Sequence, residues 1–379
     1  MAVRPRCSRS NTLETAGRPA LKAPKPVPPG RPRPHLGLAL AVCDNPRVTP
    51  EATDQPENHR AARQSQAPAG ERSHYRVDGL SGRITVIAGQ RQGRPDRPTS
   101  DCPFCVGGRE SPSPYDTRSF TNRWPTLIDR RGSFDTSLPG TPTVPATGTC
   151  EVVLYSPDHE ATMASLPPEH IAKIVDLWAE RSAELRRNAD TGHVLIFENS
   201  GADVGATIEH PHGQIFAFAD EPPAMRVERE RSADQCAVCV ELGAEALTTD
   251  SAEARRVVLD NGTWVAFVPE AAGYPFELRL SCKAHVVHLD ALGRDERSDL
   301  AQMLGQIAGV YASLFDTPMP YMMWIHQGVH THLHFVPTWR RERVPRYVAA
   351  GELGSDLLIN PISPEDAAHA LRLAATETG

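Results

Sequence analysis

Ile208-Glu209-His210-Pro211-His212-Gly213-Gln214-Ile215-Phe216 is the stretch from which the rest of the chain can be read. Two histidines flank a proline, a glutamine stands two places beyond the second, and an apolar run follows. In extended backbone alternate residues share a face, so His210, His212 and Gln214 are expected to form one row. Pro211 fixes its own φ, removes a backbone donor and biases His210 away from helix. Two imidazoles and an amide held side by side can bind a metal, attack an electrophile or hydrogen-bond an oxyanion. Histidines of a solvated loop would be spelled the same way, so the surrounding chain has to decide.

Upstream, residues 193–199 read as a buried strand, and Gly201 and Gly205 break it before the chain reaches the row. Those glycines let backbone approach a ligand. Residues 168–188 place Ile171, Ile174, Val175, Trp178 and Leu185 at helical spacing, which predicts a helix covering a sheet. Residues 83–88 are rich in β-branched residues and predict a strand leading into a basic loop. Residues 1–72 are rich in proline and arginine and poor in aromatic residues, a composition expected to stay disordered.

The 379 residues carry a net charge of −7, which implies no large basic surface for nucleic acid. No apolar run is long enough to span a membrane, so a cytoplasmic protein is expected. Of the eight cysteines, four form Cys-x-x-Cys pairs, Cys102/Cys105 and Cys236/Cys239. In a cytosolic chain such pairs point to metal before structural disulfides.

The second half replays the first. Cys236/Cys239 answers Cys102/Cys105, and strands ending at His159 and His285 answer one another. A second amphipathic helix spans 296–315, and an alternating row, His330, His332 and His334, closes the half. The repeat predicts an α+β fold of two histidine-triad-like halves, 73–225 catalytic and 226–379 structural, with an antiparallel-rich sheet running through both. It also offers two four-ligand sets, one zinc per half: Cys102, Cys105, His159 and His210, then Cys236, Cys239, His285 and His332. Two thiolates and two imidazoles match a closed structural zinc site.

These motifs resemble the galactose-1-phosphate uridylyltransferase family of the histidine-triad superfamily. The resemblance rests on Phe197-Glu198-Asn199, Ser156-Pro157-Asp158-His159, His210-Pro211-His212-Gly213-Gln214, Tyr274-Pro275-Phe276-Glu277 and His332-Leu333-His334-Phe335. It implies transfer of UMP from UDP-glucose to galactose 1-phosphate, with His212 as nucleophile braced by the His210 carbonyl and Gln214 as a donor to a phosphoryl oxygen. It further implies that Asn199, Gly205, Ala206 and Thr207 contact phosphate and sugar, and that Asn122 and Arg123 contact the nucleotide. Arginine stands at 123 where the family carries an acid. Arg91 and Arg94 match arginines reaching a neighbouring subunit's nucleotide, which implies a homodimer with shared sites. Some relatives hold iron in the second half, for which Glu228, His326, His332 and His334 are the candidates. The soft thiolates favour zinc on the cysteine set instead, and His334 is expected to stand silent at the nucleophile's place. A nucleotide-sugar phosphorylase or adenylyltransferase of the same superfamily would use the same intermediate, and a zinc-stabilised nucleotide-binding protein would use none.

Overall fold

A computed structural model describes residues 73–89, 91, 102–128, 144–188, 191–252 and 255–377. The extension expected over 1–72 and the candidate Arg94 lie outside them. In chain order the elements are β1 (His74–Val77), β2 (Ile84–Ile87), β3 (Arg118–Thr121), β4 (Val144–Pro145), β5 (Gly148–Leu154), α1 (Pro168–Arg187), β6 (His193–Ser200), β7 (His212–Phe218) and α2 (Pro223–Arg231). There follow α3 (Ala237–Leu242), α4 (Glu245–Thr248), β8 (Val257–Asp260), β9 (Trp264–Phe267), β10 (Leu278–Cys282), α5 (Arg294–Ser313), β11 (Tyr321–His326), β12 (His332–Pro337), β13 (Trp339–Arg341), β14 (Val344–Pro345), α6 (Ala350–Ser355) and α7 (Pro364–Glu377).

A nine-stranded sheet runs β3-β5-β7-β6-β11-β12-β10-β9-β8. All its pairings are antiparallel. Its centre is palindromic: β5-β7-β6 of the first half is answered by β11-β12-β10 of the second, and β6 pairs with β11 across the junction. Duplication and one continuous sheet, both expected from the repeat, are therefore present.

Helix α1 forms where the sequence predicts it. Pro168 opens it, Glu169 sits in its first turn, and Arg186 and Arg187 close it, each matching the local backbone or dipole. Its apolar stripe, Ile171, Ile174, Val175 and Trp178, is fully buried. That stripe and Leu300, Leu304 and Ile307 of α5 join one cluster with Ile196, Ile215, Leu280, Ile325 and Leu333 of the sheet. With one face of the sheet sealed this way, the rows that carry Asn199 on β6, His212 and Gln214 on β7, His326 on β11 and His332 and His334 on β12 are left on the other. Helix α7, which the sequence reading did not call, packs on α5 and β8 and buries Ala367, Ala368 and Leu371. The boundary expected after residue 225 falls within α2; we propose moving it ahead of Pro223.

Candidate active site and metal centres

Strand β6 ends at Ser200, a short 3-10 turn covers Ala202–Val204, and Gly205 at φ +82° turns the chain back, a backbone state that glycine adopts without penalty. Strand β7 begins at His212, so His210 and Pro211 precede the strand and are not part of it. The expected row is therefore His212 and Gln214, with His210 tucked behind and fully buried. Gln214 lies opposite Val152 on β5 and Phe197 on β6. A Cβ on Gly213 would sit 2.1 Å from the Tyr155 hydroxyl and 3.0 Å from the Phe197 carbonyl, so only glycine lets the strand cross this tyrosine.

The decisive contact is His212 Nδ1 to the His210 carbonyl, 2.8 Å. A carbonyl can only accept, so the proton sits on Nδ1 and the lone pair on Nε2. Three cavities, of about 690, 500 and 440 Å³, all have His212 in their walls. The largest is floored by Phe104 and Phe120, with Asn122, Arg123 and Gln214 around it; the Phe104 ring meets the His212 ring edge-on at 5.1 Å. The second is lined by Arg91, Asn199, Gly205, Ala206, Thr207 and Gln214. Asn122 Nδ2 donates to Gln214 Oε1 at 3.2 Å, which leaves the Gln214 amide nitrogen to donate elsewhere. Arg91 donates to the Trp124 carbonyl at 3.0 Å and to Thr126 Oγ1 at 2.7 Å. It stands in the wall of the second cavity.

Cys102, Cys105, His159 and His210 converge with their ligand atoms within 4.8 Å of one another, as expected. Cys105 Sγ is 3.5 Å from His159 Nδ1 and 3.6 Å from His210 Nδ1. A tetrahedron with metal–sulfur bonds of about 2.3 Å and metal–nitrogen bonds of about 2.0–2.1 Å has sulfur–nitrogen edges of about 3.5 Å, so the donor set fits such an ion. His210 Nε2 donates to the Ser156 carbonyl at 2.8 Å, which turns its Nδ1 lone pair toward the thiols. Burial, foremost, keeps this imidazole neutral by lowering its pKa.

The second set requires a correction. Cys236, Cys239 and His285 are joined by His330, not by the expected His332. His330 Nδ1 lies 3.5 Å from Cys236 Sγ and 3.4 Å from Cys239 Sγ, and its Nε2 donates to the Cys282 carbonyl at 2.8 Å. His332 instead donates from Nδ1 to the His330 carbonyl at 2.7 Å, repeating the His212–His210 contact. The row was read two residues out of register because three alternating histidines fit either alignment. The strand start, at His332 as at His212, is the signal that separates them.

The corrected register also reassigns the nucleophile's counterpart. His332 stands in that place. His334, paired with Trp324, stands where Gln214 pairs with Phe197, so the expectation for His334 was misplaced. His332 and His334 converge with His326 on Glu228 of α2 in a third group of possible ligands. Glu228 Oε1 lies 2.6 Å from His326 Nδ1, 3.6 Å from His332 Nε2 and 4.0 Å from His334 Nε2. Burial opposes ionisation of Glu228, but hydrogen bonds from His326 and His332 outweigh it and hold the carboxyl far below its usual range. The cysteine set and the glutamate set, read from sequence as competitors for His332, are separate and both assembled.

Comparison with known proteins agrees with this geometry. The model of the galactose-1-phosphate uridyl transferase N-terminal domain matches residues 59–222, and that of the C-terminal domain matches residues 233–376. Galactose-1-phosphate uridylyltransferase of Thermotoga maritima is 33% identical over 330 residues, which cover 80% of this chain and 98% of that protein. The chain belongs to the galactose-1-phosphate uridylyltransferase family. A solved uridylyltransferase structure superposes with a TM-score of 0.69 at 27% identity, covering 80% of this chain and 99% of that one. ADP-glucose phosphorylase of Arabidopsis thaliana is 26% identical over 73% of this chain and 83% of its own length. Among the described residues no helix is long and apolar enough to cross a membrane.

Proposed function

We propose that this chain is a galactose-1-phosphate uridylyltransferase, an enzyme of galactose metabolism that moves UMP from UDP-glucose to galactose 1-phosphate through a uridylyl-His212 intermediate. The single observation that carries the reading is the 2.8 Å contact between His212 Nδ1 and the His210 carbonyl. It fixes the ring and its tautomer at the meeting point of three cavities. A neutral imidazole so held is a competent nucleophile near neutral pH.

In the first displacement His212 Nε2 bonds to the α-phosphorus, and the bond from that phosphorus to the bridging oxygen breaks, releasing glucose 1-phosphate. In the second, a phosphate oxygen of galactose 1-phosphate bonds to the same phosphorus, and the phosphorus–nitrogen bond breaks, releasing UDP-galactose. The Gln214 amide nitrogen donates to a non-bridging oxygen as charge grows there. In this reading the nucleotide occupies the largest cavity, with Phe104 and Phe120 against the base and Asn122 and Arg123 beside it. Arg91, Asn199, Gly205, Ala206 and Thr207 receive phosphate and sugar.

Zinc suits both cysteine sets, because two thiolates and two imidazoles form a closed, soft donor shell. In the first set Cys102, Cys105, His159 and His210 would hold the ion, which would supply a fixed anchor for His210 and leave the chemistry to His212. The glutamate set offers nitrogen and oxygen donors only, which suits iron or zinc. A cytoplasmic homodimer completes the proposal, and sedimentation would read its mass. The activity test is direct: the purified chain with UDP-glucose and galactose 1-phosphate is expected to yield glucose 1-phosphate with parallel-line, two-step kinetics. Intersecting lines would remove the covalent intermediate, and turnover of ADP-glucose with phosphate in place of UDP-glucose would move the chain to the phosphorylase reading.

A further inference from the structure

The loop that joins β6 to β7 carries Gly205, Ala206 and Thr207 into the wall of the second cavity. Gly201 at φ +99° and Gly205 at φ +82° bracket its single 3-10 turn, and Gly201, Ala202, Asp203 and Gly205 are exposed. The second half of the chain supplies two anchors. A Cβ on Gly201 would lie 2.8 Å from the Pro320 Cβ, so the loop rests closely on the residue just ahead of β11. Asp203 Oδ2 accepts from Trp339 Nε1 at 2.8 Å. Both anchors belong to one unit, because Thr338, beside Trp339, donates its backbone N–H to the Pro320 carbonyl at 3.3 Å. Trp339 is buried in the main core, with its ring 6.4 Å from that of Phe315.

The two ends of the contact are unequal. The indole cannot move without disturbing the core, whereas Asp203 stands at the surface on a loop with few buried contacts. A hydrogen bond from a fixed donor to a carboxylate therefore orders the loop and leaves the tryptophan where it is. Gly205 follows two residues after Asp203 and Thr207 four, so pinning Asp203 sets the backbone that faces the ligand. Asp203 and Trp339 also stand with His212 in the wall of the third cavity. We propose that Trp339, reaching over from the second half, positions this loop through Asp203 for the hexose phosphate common to both transfer steps. The inference rests on the transfer reading. Both are positioning residues, acting through Gly205, Ala206 and Thr207. Without the contact the loop spends part of its time in other arrangements, and apparent affinity falls with the fraction that remains competent. Once ligand is bound the loop is in place, so KM rises while kcat is kept.

Steady-state kinetics of Trp339→Phe and Asp203→Ala with UDP-glucose and galactose 1-phosphate test this. In each, KM for galactose 1-phosphate is expected to rise about tenfold, the scale of one lost hydrogen bond to a charged group, with kcat within about threefold. Calorimetric binding of UMP, which lacks the hexose phosphate, is expected to change by less than about threefold. The double variant is expected to be no worse than either single one, because the two side chains make one contact. Asp203→Asn, which keeps an acceptor oxygen, is expected to restore KM to within about threefold of the unmodified chain. Unchanged KM in both single variants overturns the proposal, as does a double variant whose KM shows the product of the two single effects. A parallel loss of UMP affinity and of melting temperature also overturns it, by marking the contact as general support. With ADP-glucose turned over in place of UDP-glucose, the same comparison is made on that donor. An unmodified chain that turns over neither overturns the transfer reading and this inference with it; variants that match an active unmodified chain overturn this inference alone.

Discussion

Removing the His212 ring separates chemistry from architecture, because His212 belongs to none of the three ligand groups. His212→Gly is expected to abolish nucleotidyl transfer while metal content, read by elemental analysis, stays at the unmodified level; loss of metal in parallel would make the residue structural. Gln214→Ala is expected to lower kcat by about 10²–10³, with donor binding much less affected. Glu198, between Phe197 and Asn199 but on the opposite face of the strand, is buried and reaches the wall of the third cavity, and the Tyr321 hydroxyl donates to its Oε1 at 3.4 Å. Burial, chiefly, raises its pKa from 4.5 to about 7. The folded state therefore holds this proton more tightly than the unfolded chain, and stability declines as pH rises between those two values. Glu198→Gln is expected to remove that decline and to stabilise the protein at pH 8 by on the order of 3 kcal/mol. Thermal melts at pH 5 and pH 8 check this: equal effects of the substitution at both would refute it.

At the scale of elements, the histidine strands carry the argument. Strand β7 must pass Tyr155 with no side chain at Gly213, so Gly213→Ala is expected to cost about 1–3 kcal/mol through overpacking, measured by urea denaturation; an unchanged midpoint would show that the strand can shift. In the second half the register makes its own prediction. His330→Ala is expected to lose the metal held by Cys236 and Cys239, whereas His332→Ala is expected to keep it, and zinc-edge spectroscopy of the two variants distinguishes them. The reverse pattern would restore the register first expected. Helices α1 and α5 were legible because their apolar stripes keep helical spacing, and β6 because a continuous apolar run, Val194 to Phe197, is followed at once by polar residues and then glycine. The first cysteine set was legible because each ligand has a distinct sequence neighbour. The second was not fully so. His330, His332 and His334 repeat with the period of a strand, so either of the first two could be the metal-facing residue until the strand's starting point is known. Helix α7 was missed because its buried face is built mostly of alanines, whose pattern is weak in sequence. Asp203 and Trp339 meet only through the fold, 136 residues apart.

Across the whole molecule, duplication has given two sites of unlike fate on one sheet. The first sets His212 in the walls of three cavities. The second turns the matching His332 toward a carboxylate and two further imidazoles. In the proposed reading, a chain with two histidine rows therefore needs only one reactive ring. A palindromic sheet sealed by α1, α5 and α7 holds both in a common frame, so a metal lost from one half is felt as stability of the whole.

The account depends most on the ring at 212 becoming a temporary carrier. Mass spectrometry of the purified chain after mixing with UDP-glucose, without acceptor, reads this directly. The expected result is an acid-labile UMP adduct on His212 that galactose 1-phosphate discharges as UDP-galactose. No adduct, or an adduct that persists in His212→Gly, would contradict it.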